Sequence, residues 1–164
     1  MKFDPAIPCG FVLDLLLGDP DWMPHPVVYM GRAISALEDF LRPRLPQPPE
    51  GELLGGAVLA AVLPAGTYIL TSGACALTKK IHPALGVGLE TVWCWQALAL
   101  KGLAQESARV QRELERGGLP AARRAVGRIV GRDTQDLNAE GVAKAAVETV
   151  AENTSDGVVA PLFF

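Results

Sequence analysis

Histidine and cysteine are scarce in this 164-residue chain, which holds two of the first and three of the second. His25 and His82 are each followed by proline and lie in different segments, so no zinc-type ligand spacing can be written and a transition-metal centre is not expected. Cys9, Cys75 and Cys94 stand far apart, two of them in apolar stretches where a thiol acts as a small hydrophobe. That usage argues against a disulfide framework. Charge of one sign is also lacking: the net charge is −3, which is not the balance of a nucleic-acid-binding chain. Lys2 precedes an apolar run, but Asp14 interrupts that run and no small-residue cleavage site follows, so it is not read as a secretory leader. There is no internal repeat, Walker-type glycine loop, nucleophile elbow or dinucleotide fingerprint.

What is present is apolar. Hydrophobic residues make up 49% of the chain, charged residues 20%, and the mean hydropathy is +0.23, a composition that excludes disorder. Residues 53–78 contain 26 positions without a charge, enough to cross a bilayer at roughly 20 residues per span. Pro64 should bend this helix, and Gly55, Gly56, Gly66 and Gly73 would let another helix approach. A turn at Lys79, Lys80 and Pro83 leads to residues 84–100, where Glu90 is the one charge, and this segment is expected to form a second span. Trp93 and Trp95 read as packing or interfacial residues rather than a cofactor box.

The flanking segments read as helices of other kinds. Residues 7–17 are too short to span and close at Gly18-Asp19-Pro20, as a half-span or an interfacial helix. Pro24-His25-Pro26 leads into a helix with Pro26 at its first position. Its apolar residues Val27, Met30, Ile34, Leu37 and Leu41 recur every three or four positions, opposite Arg32, Glu38, Asp39 and Arg42. Pro43, Pro46, Pro48 and Pro49 make the approach to Glu52 a stiff linker. After Lys101 one polar helix ends near Gly117-Gly118 and a second runs from Pro120 to Gly131. A last helix runs from about Gln135 to Asn153, capped by Asp133 or Thr134.

The expected fold is all-α: a polytopic integral membrane protein with two transmembrane helices, interfacial or half-span helices and a cytoplasmic helical segment. Its divisions are residues 1–52, a transmembrane hairpin at 53–100, the polar helices at 101–157, and the start of a further span at 158–164. Such an ending suggests a fragment, a split product, or a partner that completes the structure. Between Lys101 and Arg132 there are eight basic and three acidic residues, whereas Asp133 to Asp156 holds six acidic and one basic. The positive-inside bias places the arginine-rich segment in the cytoplasm, and with it the region around Arg32, Arg42 and Arg44, leaving Lys79 and Lys80 outside.

Chemistry concentrates in the last helix. Asp136, Glu140, Lys144, Glu148, Glu152 and Asp156 recur every four residues, and Lys144 can pair with Glu140 and Glu148 in a solvated stripe. Glu148, Glu152 and Asp156, however, are like charges one turn apart near a helix C-terminus, where the macrodipole also disfavours anions. Such a cluster calls for a cation, and hard oxygen ligands suit Mg²⁺ shared with substrate phosphates. Asn153, Thr154 and Ser155 add an amide and two hydroxyls beside it. Before the helix, Arg132, Asp133 and Thr134 would offer a guanidinium and backbone N–H groups to an anion. Asp19 and His25 form a further polar pair in the proline-rich loop.

These residues carry a resemblance. Leu13-Asp14-Leu15-Leu16-Leu17-Gly18-Asp19-Pro20, Pro24-His25-Pro26-Val27 with Gly31, Gly131-Arg132-Asp133-Thr134, and the long run from Ala146 through Glu148-Thr149-Val150-Ala151-Glu152-Asn153-Thr154-Ser155-Asp156-Gly157 to Phe163 resemble the CbiB/CobD family of cobalamin biosynthesis, the adenosylcobinamide-phosphate synthases. Members are longer, and the resemblance covers their N-terminal half. It implies an inner-membrane enzyme that joins adenosylcobyric acid to aminopropanol, or its phosphate, through an amide bond with ATP and Mg²⁺. It assigns Glu148, Glu152 and Asp156 to Mg²⁺ binding or base catalysis, and Asn153, Thr154 and Ser155 to substrate positioning. Arg132, Asp133 and Thr134 would serve phosphate binding or loop order, while Asp19 and His25 would close the site from the other loop. Its partners would be the corrinoid, the amine, membrane lipid, and a C-terminal half or second subunit. The alternative is a non-enzymatic membrane relative of AmpE type, or an inactive fragment, with regulatory or scaffold duties.

Overall fold

The computed structural model describes residues 4–20, 22–46 and 49–163; Lys2 and Pro48, named above, and the last position of the 158–164 segment lie outside them. Among these residues the chain is all helix with no strand. The helices are α1 (Ala6–Leu17), α2 (Pro26–Leu41), α3 (Glu50–Ile81), α4 (Pro83–Ala97), α5 (Leu100–Arg112), α6 (Leu119–Val126), α7 (Ala139–Thr154) and α8 (Ala160–Phe163). A 3-10 turn at Arg42–Arg44 and π-helical turns at Glu113–Gly117 and Ser155–Val159 complete the list. Two compact units divide the chain, residues 1–20 with 91–164 and residues 21–90.

In the unit of residues 21–90, α3 is one continuous helix of 32 residues that passes through Pro64, about 48 Å at 1.5 Å per residue. It starts earlier than expected, taking Glu50 and Gly51 from the proline-rich linker. By length and composition it is the one helix among the described residues able to cross a membrane, and none of its most apolar 18-residue window is buried among them. Three of its hydroxyls are satisfied within the helix: Thr71 donates to the Thr67 carbonyl at 2.9 Å, Ser72 to the Tyr68 carbonyl at 2.5 Å and Thr78 to the Ala74 carbonyl at 3.0 Å. Such back-bonding lets Ser and Thr sit in a lipid-facing helix.

The expected second span is not confirmed by its length. Helix α4 has 15 residues, about 22 Å, short of the roughly 30 Å hydrocarbon core. The chain leaves helical geometry at Leu98 and Ala99, and both Trp95 and Leu98 are buried by protein. The turn between α3 and α4 forms where expected, with His82 extended before Pro83, and Lys79 Nζ reaches Glu90 Oε1 at 2.5 Å across it.

Helix α2 also starts where expected, with Pro26 in its first turn and the His25 side chain accepting from the Val27 N–H. It has no buried residue; Leu37 and Leu41 are half-covered while Val27, Met30 and Ile34 stay exposed. A cavity of about 590 Å³ lies between the ends of α2 and α3, lined by Leu41, Leu45, Gly55 and Leu59 with Glu38, Arg42 and Glu52. The Arg42 guanidinium, hydrogen-bonded to Glu38 and held by its charge, keeps its proton more tightly than an ordinary arginine.

In the other unit, α5, α6 and α7 enclose a small core of Val110, Ala122, Ala125, Val126, Val142 and Ala145, bordered by Leu114, Leu119, Ile129 and Leu137. Alanines at three of these positions let the helices approach closely. Helix α1 is packed in the opposite sense to a water-soluble amphipathic helix. Its buried stripe is Ala6, Gly10 and Asp14 at four-residue spacing, and its leucines Leu15, Leu16 and Leu17 face outward. Small residues inside and large apolar residues outside are what a helix surrounded by hydrocarbon uses.

Cys75, near the C-terminal end of the apolar stretch of α3, provides a test of the span. In a Cys9→Ser/Cys94→Ala background, Cys75 in intact vesicles should resist a membrane-impermeant maleimide and react once detergent is added. Full labelling without detergent would refute burial of this turn in lipid.

Candidate active site

Helix α4 hands over to α5 through Leu98 and Ala99, and this corner gathers the N-terminal motif. No side chain of its own caps α5. Instead Asp14, fully buried on α1, brings Oδ2 to the Leu100 N–H at 3.0 Å and the Lys101 N–H at 3.3 Å. A carboxylate at a helix N-terminus satisfies orphan donors and opposes the macrodipole. Trp95 donates its indole N–H to the Gly18 carbonyl at 3.0 Å, and Lys101 Nζ reaches the Leu16 carbonyl at 2.5 Å. Gly10 lets α1 come this close, since a Cβ there would stand 2.6 Å from Cys94 Cβ. Gly18 ends α1 at φ 63°, where glycine is favoured, and bonds back to the Asp14 carbonyl.

Asp19 follows directly, and a Cβ built on Gly102 would lie 3.6 Å from its Oδ2, so this predicted residue stands at the opening turn of α5. The far motif reaches the same corner through its backbone: the Ala99 N–H donates to the Gly157 carbonyl at 3.1 Å. His25 is placed in the other compact unit, with Nδ1 accepting from the Val27 N–H at 3.2 Å.

Around α7 the predicted residues divide into structural and exposed sets. The expected cap at Asp133 or Thr134 is corrected: α7 starts at Ala139, and Asn138 accepts from the Gly141 N–H at 2.8 Å. The intervening residues are used otherwise. Asp133 Oδ1 accepts from the Gln135 N–H at 3.0 Å, and Thr134, buried, donates its hydroxyl to the Arg123 carbonyl at 3.0 Å. Arg123 Nε in turn donates to the Leu137 carbonyl at 2.6 Å. These bonds pin the connection to α6, so residues 133–134 do not form the helix N-terminus expected there. Arg132 pairs with Glu148 at 3.0 Å, and Lys144 approaches the same carboxylate at 3.8 Å.

The carboxylate stripe is corrected as well. The helix does not stop at Asn153: the π turn Ser155–Val159 carries it without a break into α8. Asn153, Thr154, Ser155 and Asp156 therefore belong to a helix rather than a loop. A π turn holds more residues than an α turn, which shifts the register of the side chains beyond it. Among the described residues no three His, Cys, Asp or Glu side chains gather closely enough to hold a metal ion. Glu148, Glu152 and Asp156 as a set thus do not fit a protein-built Mg²⁺ cage. Glu148 is neutralised by its two cations, whereas Glu152 and Asp156 are exposed and have no ion pair among the described residues. Single-turn π insertions recur at functional sites, and this one lies in the segment richest in reactive groups.

Asp14 was visible in the sequence as the acid that breaks an apolar run, yet it was not placed among the functional residues. Trp95 and Lys101 gave no such signal, because their partners on α1 are 77 and 85 residues away.

Thr134 and Arg132 should separate in a chemical-denaturation measurement. Thr134→Val leaves the Arg123 carbonyl without its hydroxyl donor and should cost about 1–2 kcal/mol. Arg132→Ala removes an exposed pair and should cost less than about 1 kcal/mol. Equal losses would contradict the division drawn here.

Comparison with known proteins extends across both motif segments. The family model described as CobD/Cbib protein matches residues 7–164. The "Cobalamin biosynthesis protein CobD" of Geobacter metallireducens is 47% identical over 153 residues, covering 93% of this chain and 47% of that protein. The "Cobalamin biosynthesis protein CbiB" of Salmonella typhimurium is 39% identical over 155 residues, 94% of this chain and 48% of the relative. The CobD protein of Halalkalibacterium halodurans is 42% identical over 159 residues, 97% and 48%. The chain spans about half the length of the curated relatives it matches. No solved structure matches it.

Proposed function

The chain belongs to the CobD/CbiB family, and from that premise we propose that it serves cobalamin biosynthesis as an amide-forming enzyme, joining adenosylcobyric acid to aminopropanol or its phosphate at the expense of ATP. The observation that carries the reading is the family match over residues 7–164, which takes in the Gly18-Asp19 turn and the Glu152–Gly157 stretch together. The names borne by the relatives support the pathway.

A carboxylate is a poor acyl donor, so in this proposal its oxygen attacks the γ-phosphorus of ATP, releasing ADP and leaving an acyl phosphate. The amine then attacks the acyl carbon, inorganic phosphate departs, and the ammonium proton passes to a base. Glu152 or Asp156 is the candidate base, being exposed and without an ion pair among the described residues. Asn153, Thr154 and Ser155 are neighbours that would orient substrate. Asp19 would face it from the α5 opening. Arg132 would meet phosphate by exchanging Glu148 for it. Mg²⁺ enters this proposal with the phosphates of ATP, not in a cage built by this chain.

Helix α3 supports a membrane location. A multi-pass arrangement in the inner membrane, with both motif segments on the cytoplasmic side, is part of the proposal. Whether a further segment or subunit completes the site is read from the assay that follows. The second reading, a non-enzymatic member of the same lineage, draws support from the neutralised Glu148 and the lack of a three-carboxylate cluster among the described residues.

Membranes carrying this chain, given ATP, Mg²⁺, adenosylcobyric acid and aminopropanol phosphate, should yield the amide product by mass spectrometry, beside a full-length relative as a positive control. In an active preparation Glu152→Gln should lower turnover by about 100-fold or more if Glu152 is the base. Product at the wild-type rate from that variant would remove Glu152 from the role. No product while the relative is active would favour the second reading or the need for the further segment.

A further inference from the structure

Asp14 presents a buried acid whose two oxygens have different fates. Oδ2 accepts from the Leu100 and Lys101 N–H groups, whereas Oδ1 is shielded from solvent and has no hydrogen-bond partner among the described residues. Desolvating a carboxylate oxygen without a partner is costly. A side chain wanted only for packing would be apolar, so the acid is required for what Oδ2 holds.

What it holds reaches beyond α5. Ala99, Leu100 and Lys101 provide three consecutive peptide donors: the first goes to the Gly157 carbonyl in the π turn, and the next two go to Asp14. Adjacent peptide units share the Ala99 Cα, so the orientation of the two donors fixed by Asp14 constrains the one offered to Gly157. Gly157 lies one residue after Asp156 and five after Glu152. The Ala99 methyl also bounds the space there, standing 3.5 Å from where a Gly157 Cβ would be.

We propose that Asp14 is a positioning residue that sets the π turn Ser155–Val159, and with it the carboxylates of the Glu152–Asp156 stretch, through the first peptide donors of α5. This rests on the reading that Glu152–Asp156 belongs to the active site, but the coupling itself is independent of activity. Asp14 does not touch substrate in this arrangement. It links the N-terminal motif to the C-terminal one through the backbone of a third segment.

Hydrogen–deuterium exchange on the purified full chain in detergent tests the coupling without any substrate. In Asp14→Ala, amides 99–101 should exchange about tenfold faster, and amides 155–160 should accelerate with them, while the core amides of α6 at 122–126 keep their wild-type rates. Asp14→Asn retains an acceptor oxygen without the charge, so both segments should be partly rescued, and by similar factors. If Asp14→Ala does not fold, the Asn variant alone carries the test, since any loss at 99–101 must then appear at 155–160. Acceleration at 99–101 with 155–160 unchanged would overturn the coupling. No change at either segment would show that Asp14 holds nothing, and acceleration at 122–126 as well would reduce its role to general stability. Absence of amide product in the separate activity assay would count against the functional reading and leave these exchange outcomes intact.

Discussion

A helix start must find acceptors for its first peptide N–H groups, and where water is scarce those acceptors have to come from the protein. Helix α5 begins without a capping side chain of its own, so its opening donors are met by a carboxylate from α1 and a carbonyl from the π turn after α7. Three stretches far apart in sequence are held in register by this one requirement. The tryptophan bond to Gly18, the lysine bond to Leu16 and the glycine contact at Gly10 reinforce it from the α1 side. Asp19 is delivered to the first turn of α5 as a consequence.

The unit built by α5, α6 and α7 obeys a different rule. Its core is made of valines and alanines, and its connections are fastened by polar bonds: Thr134 to the Arg123 carbonyl and Arg123 to the Leu137 carbonyl. Residues that looked like ligand-binding groups when read along the chain are partly spent on this fastening. Glu152 and Asp156 are left outside it, on a helix whose pitch changes just where Asp156 lies. A local change of pitch re-aims side chains without ending the helix, so neighbouring polar groups can point in directions that a uniform helix would not allow.

Features with a local cause were legible in the sequence. Pro26 after His25, the glycine stop at Gly18, the His82-Pro83 turn and the long uncharged stretch of α3 each follow from a few adjacent residues. The all-helical class followed from them. Less was legible where two segments compete for the same groups. Asp133 and Thr134 have the chemistry of a cap, but Thr134 is drawn to a carbonyl on α6, which leaves Asn138 to start α7. Residues 84–100 have the composition of a span, but Trp95 finds a partner in Gly18, just past α1, and the helix ends two residues later. The site was partly visible: its acidic stretch could be located by spacing, whereas Asp14 could be seen only as an interruption, because its partners are 86 and 87 residues away.

Those separations bear on the order of assembly. Helix α1 leaves the ribosome before the segments that hold it: its hydrogen bonds await residues 95–101, and the peptide donor beside them awaits Gly157. Closing loops of that length is entropically slow compared with forming a helix. Until then α1 carries a carboxylate without its donors and three outward leucines in a row. Helix α1 is consequently made well before it is secured, and that interval is when it is most open to chaperones, to proteases or to the wrong helix.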